Sequence, residues 1–125
     1  MNEFIYRILS EDYELCSLLG KLRTADNEEE LLPAIHHGYA KTWESVPSIC
    51  FTQKDCSDEV FADDYCFAKK YIYEFDLFFE QDGYDAYRRM DNILRENGFF
   101  CKSSKDILEP VGRRINSIYY FIKEE

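Results

Sequence analysis

The stretch "KKYIYEFDLFFEQDG", residues 69 to 83, constrains this chain more than any other. Tyr71, Tyr73 and Phe75 alternate with Ile72, Glu74 and Asp76, and a period of two rich in aromatic residues specifies a strand. Gly83 ends it. The next stretch, "YDAYRRMDNILRENG", changes period: Tyr84, Tyr87, Met90, Ile93 and Leu94 recur at helical spacing, and Gly98 stands where a helix takes its left-handed closing residue. Strand followed by amphipathic helix is the firmest element pair in the chain.

Other segments are read around that pair. "EFIYRILS" (3 to 10) sets Phe4, Ile5, Tyr6, Ile8 and Leu9 about a lone Arg7 and predicts a short strand. Ser10 then caps a helix through "EDYELCSLLG" that Gly20 stops, and Asp26 or Asn27 caps a second helix, "EEELLPAIHH", closed by Gly38. Pro33 is tolerable only near that helix's first turns. "SICFT" predicts a buried strand that delivers Thr52 and Gln53 to its end. "FFCKSS" predicts a strand, "KDILEPV" a strand broken by Pro110, and "NSIYYFIKEE" a final strand through Ile118, Tyr120 and Ile122. Helices early and in the middle, with strands closing the chain, give a single compact α+β domain over residues 1–125, a mixed or antiparallel sheet with about three helices.

The bulk numbers bound the function. A chain of 125 residues with 46% hydrophobic content builds one real core, and its 17% aromatic content serves either that core or a recognition surface. A formal charge of −10 repels phosphate backbones and anionic membranes, so direct nucleic-acid binding is not expected, whereas a basic protein partner is. The five cysteines, Cys16, Cys50, Cys56, Cys66 and Cys101, are an odd number without a C-x-x-C pair, which suits a reducing compartment. Glu3 and Arg7 interrupt the first apolar residues as no signal peptide would allow, and no stretch approaches the roughly 18 apolar residues of a membrane span. The expected location is the cytoplasm.

Few residues are equipped for chemistry. His36 and His37 are adjacent, so on a helix they point about 100° apart and do not share an ion, and the paired Cys/His spacings of zinc sites are missing. They are read as polar residues at a helix end, and no metal is expected. Cys50 with His36 or His37 is the one nucleophile–base pairing available, but a thiol inside an apolar strand is inert and is read as structural. Neither a Walker loop nor a GxGxxG phosphate cradle occurs.

Three separated pieces carry a resemblance: "IYRILS" with Arg7, "LLPAIHHGY" leading to "SICFT", and "ILEPVGRRINSIYYFIKE" with Glu109 ahead of a late strand. In that order the chain resembles the ADP-ribosyltransferase-like fold, including its small phage and toxin members. The resemblance implies NAD as substrate and transfer of ADP-ribose to a macromolecular acceptor. It implies that Arg7 holds the dinucleotide, a task for a bidentate guanidinium. Ser48 or Thr52 would orient the nicotinamide ribose, Phe51 or Trp43 would stack on the nicotinamide, and Glu109 would stabilise the oxocarbenium-like transition state. The match is degenerate: "ICFTQ" keeps one hydroxyl where the family has a run, and Ile107 stands where a second acidic or amide residue is usual.

A second reading from the residues alone is non-enzymatic. A small acidic, aromatic-rich chain suits a stoichiometric inhibitor of a basic, nucleic-acid-handling protein, of phage anti-defence, antitoxin or immunity type. Asp58, Glu59, Asp63 and Asp64 would then stand where phosphates lie.

Overall fold

Met1, Phe4, Ile5, Ile8 and Leu9 recur at i, i+3, i+4, i+7 and i+8, the stripe of an amphipathic helix. In the computed structural model of the protein, which describes residues 1–23, 31–38, 46–60 and 67–124, this segment is a helix, α1 (Asn2–Ser10), that buries Ile5 and Leu9. The strand expected over residues 3–10 is therefore corrected. The same apolar residues satisfy either period, and the helix wins because it brings Phe4 onto Phe99 and Phe121 while Arg7 stays exposed.

Ser10, expected as a cap, is the last residue of α1. The next helix, α2 (Tyr13–Leu18), starts later, and its cap is Asp12, whose carboxylate accepts a hydrogen bond from the Leu15 backbone N–H at 2.8 Å. Two short strands follow, β1 (Lys21–Arg23) and β2 (Leu31–Pro33), paired antiparallel. The helix expected over "EEELLPAIHH" gives way to β2 and a further strand, β3 (Ile35–His37), where the structure describes it. The backbone of this segment bonds outward rather than to itself: the Ala34 N–H reaches the Gly20 carbonyl at 2.9 Å, and the Ala34 carbonyl accepts from Ile49 N–H at 2.9 Å. Pro33, which lacks an N–H, costs such a short strand less than it would cost a helix interior.

The long elements follow the pattern in the sequence more closely. They are β4 (Ser48–Val60), β5 (Phe67–Phe79), α3 (Tyr84–Glu96), β6 (Phe100–Glu109) and β7 (Gly112–Glu124). The two strands expected in "FFCKSS" and "KDILEPV" are one, β6, with Pro110 in the turn to β7. The large sheet has the order β3-β4-β5-β7-β6, parallel only between β3 and β4, so the chain is α+β with a mixed five-stranded sheet and three helices among the described residues. No helix among them is long and apolar enough to cross a membrane.

Register divides the sheet into two unlike faces. Cross-strand rows Ile49–Leu77–Ile115 and Phe51–Phe75–Ser117, with the pair Tyr73–Tyr119, turn toward the helices, where Ile5, Leu9, Leu15, Met90, Ile93 and Leu94 complete the core. Phe75 meets Tyr119 edge to face with centroids 5.4 Å apart, and each such buried ring contributes about 1.5–3 kcal/mol. All three helices cover this one face. Alternate residues, among them Ser48, Thr52, Asp76, Arg114, Asn116, Ile118 and Tyr120, lie on the other. Bulges at Gln53/Asp55, midway along β4, and at Cys101/Ser103, near the start of β6, shift the register.

Candidate functional site

The two faces decide which candidate residues meet. Arg7 projects from α1 in the helical layer, its guanidinium 5.6 Å from the centroid of the Phe4 ring. Phe51 is buried in the core between Tyr73 and Phe75 and takes the stacked His37 ring at 5.3 Å. Ser48, Thr52 and Glu109 lie on the opposite face. The arrangement expected of Arg7, Thr52 and Glu109 around one pocket is therefore corrected: the sheet separates the guanidinium from the alcohol and the carboxylate. Trp43 lies outside the described residues, as do Asp63, Asp64 and Cys66.

Around Ser48 and Glu109 the second face carries a polar cluster that bridges three strands. Asp76, on β5, is buried and accepts a 2.8 Å hydrogen bond from the Asn116 side-chain amide of β7. Arg114 of β7 sets one terminal nitrogen 3.5 Å from Asp76 Oδ1 and its Nε 2.9 Å from Glu109 Oε1 on β6, the latter contact lacking hydrogen-bond alignment. Burial pushes the Asp76 carboxyl above its ordinary range and outweighs the opposing effects of Asn116 and Arg114. The Ser48 hydroxyl is buried without a hydrogen-bond partner among the described residues. With the Asp76 side chain only 5% exposed, the cluster ties strands together and offers little room for a substrate.

Toward the β4–β5 end the same face opens. Ile72, Tyr120 and Phe100 form a row across β5, β7 and β6, with Ile118 and Ile122 on either side of it along β7. Phe100 is 54% exposed and stacks on Tyr120 at 5.2 Å, Ile122 is 39% exposed, and the Lys70 ammonium lies 5.1 Å from the Tyr120 ring centroid. This patch is apolar and aromatic, and no helix among the described residues covers it.

The remaining candidates do not form a chemical site. His36 and His37 sit on strand β3 rather than at a helix end, with His36 opposite Cys50 in the register. Cys50 is buried within β4. No group of three or more His, Cys, Asp or Glu side chains among the described residues can hold a metal ion. Of the acidic residues expected to mimic phosphates, Asp58 is exposed on β4 opposite Lys69; Glu59 follows it on the same strand.

Compared with known proteins, the sequence matches no family model and no curated protein significantly. The residues that sequence reasoning passed over are Asp76, Arg114 and Asn116 in the cluster, and Ile72, Phe100 and Tyr120 in the patch. One signal for the patch was available. "NSIYYFIK" is apolar at consecutive positions, which marks a strand with two apolar faces where a strand with one solvated face would alternate cleanly.

Proposed function

We propose that this chain is a non-catalytic protein-binding domain that docks through the open part of its sheet face, around Phe100, Tyr120 and Ile122. The observation that carries this reading is an exposed aromatic and aliphatic patch on the face the helices leave bare. Monomeric proteins leave few contiguous apolar patches without a use, and aromatic side chains are the common anchors of interfaces. Covering Phe100 and Ile122 contributes about 1 kcal/mol each, given that both are already partly buried. The acidic charge of −10 favours encounter with a basic partner, as an inhibitor or immunity protein requires.

The transferase reading keeps one supporting observation, that Ser48, Thr52 and Glu109 share a face with Arg114. Thermal unfolding with NAD separates the two. The docking reading expects NAD at millimolar concentration to leave Tm unchanged. It also expects Phe100→Asp with Ile122→Asp to abolish specific capture of a basic protein from cells that make this chain, at unaltered Tm. A rise in Tm with NAD that Glu109→Ala removes would overturn it in favour of the enzyme.

A further inference from the structure

Carboxylates outnumber cations in this chain, and the arginines of α3 and β7 all lie beside one. Arg88, Arg89, Arg95, Arg113 and Arg114 each have an acidic oxygen within 3.7 Å. Lys70, Lys102 and Lys105 have no carboxylate partner among the described residues, and neither do two further cations, Arg7, which rests on the Phe4 ring instead, and Lys123. Both border the same notch. One cavity of about 270 Å³ is lined by Met1, Phe4, Phe121 and Lys123. A second, of about 340 Å³, is lined by Met1, Glu3, Phe4 and Arg7 and adjoins the first through Met1 and Phe4.

The walls are aromatic. Phe4 stacks on Phe99 at 6.4 Å, and Phe121 lies 6.3 Å from Phe4 and 5.0 Å from Phe99. The two cavities are small, near the lower limit of about 300 Å³ for ligand pockets, which suits one side chain better than a nucleotide. From these observations we propose that the notch between α1 and the end of β7 is a second recognition site, separate from the open sheet face. It takes an acidic peptide segment of a partner protein, with one aromatic residue seated on Phe4 and Phe121 and flanking carboxylates paired to Arg7 and Lys123. Glu3 lines the Arg7 side of the notch, so a flanking acid there meets one carboxylate as well as the guanidinium. At physiological ionic strength the screening length is about 8 Å, so the overall negative charge is damped while contact pairs persist.

The test is an amide chemical-shift titration at that ionic strength with three capped pentapeptides. Asp-Asp-Phe-Asp-Asp is expected to shift the amides of Phe4, Arg7 and Phe121, and Asp-Asp-Ala-Asp-Asp to bind at least about tenfold more weakly. Lys-Lys-Phe-Lys-Lys is expected to leave them unmoved. Arg7→Glu with Lys123→Glu changes only exposed side chains, so it is expected to keep the native spectrum and lose the acidic peptide. Equal or tighter binding of the lysine peptide overturns the proposal, as does retained acidic-peptide binding in the double variant or no shift at millimolar peptide. Phe100→Asp with Ile122→Asp should leave the titration intact, and loss of it there would show that the notch is not a separate site.

Discussion

Two aspartates in this fold respond to acid in opposite directions. Asp12 caps α2 and also takes Arg89 of α3 in a two-point contact, with Nε 3.1 Å from Oδ1 and a terminal nitrogen 2.6 Å from Oδ2. The Arg89 hydrogen bond is the main cause that holds the Asp12 carboxyl below its usual range. Its stabilisation is therefore fully present above the unfolded value of about 3.9 and is lost as pH falls through the depressed folded value. Asp12→Ala should cost about 1–2 kcal/mol at pH 7, and the deficit should shrink as the solution is acidified. Asp76 behaves inversely. Its raised folded pKa means that stability is present below the unfolded value and is lost as pH rises through the folded one. Asp76→Asn keeps the acceptor for Asn116 and removes that loss, so its denaturation midpoint should vary less with pH and exceed wild type near neutrality. Urea unfolding at a series of pH values checks both variants. A fall in the Asp76→Asn midpoint at pH 7 would show that the Arg114 contact outweighs burial.

At the level of elements, two glycines of the strand–helix–strand unit make distinct demands. Gly98 closes α3 at φ +93°, and a Cβ there would stand 3.1 Å from the Phe121 ring. Gly98→Ala should cost about 1 kcal/mol through the left-handed backbone alone. Gly83 precedes α3 and leaves no space: a Cβ would lie 2.4 Å from Phe79 Cγ, deep in a fully buried ring. Gly83→Ala should therefore cost more, about 1–3 kcal/mol, readable as the larger drop in Tm of the two. This unit was legible in advance because Gly83, Gly98 and the change of period between them are local signals. The first helix was not, since Phe4, Ile5, Ile8 and Leu9 accommodate both a strand and a helix, and what separates them is contact with Phe99 and Phe121 far along the chain. Residues 31–38 misled for a related reason. Their hydrogen bonds go to Gly20, Ile49 and Phe51, partners that local pattern does not name.

Across the whole molecule, the candidate residues could be found in the sequence but their grouping could not. Ser48, Thr52 and Glu109 fall on one face of the sheet and Arg7 and Phe51 on the helical side, a division the sequence reading did not anticipate, because a residue's side of the sheet depends on register and on a bulge that no single strand displays. The cluster around Asp76 needed the pairing of β5 with β7 to become visible. The open patch needed something else, the knowledge that α1, α2 and α3 all gather on one side. That lopsided layering has a consequence for how such a chain can change over generations. Along β5 and β7, positions turned inward are held by packing, while every second position near the far end is answerable only to whatever it meets outside. Among descendants of this chain, therefore, alternate residues of a single strand should diverge at different speeds, and the faster set should keep pace with the partner's own surface.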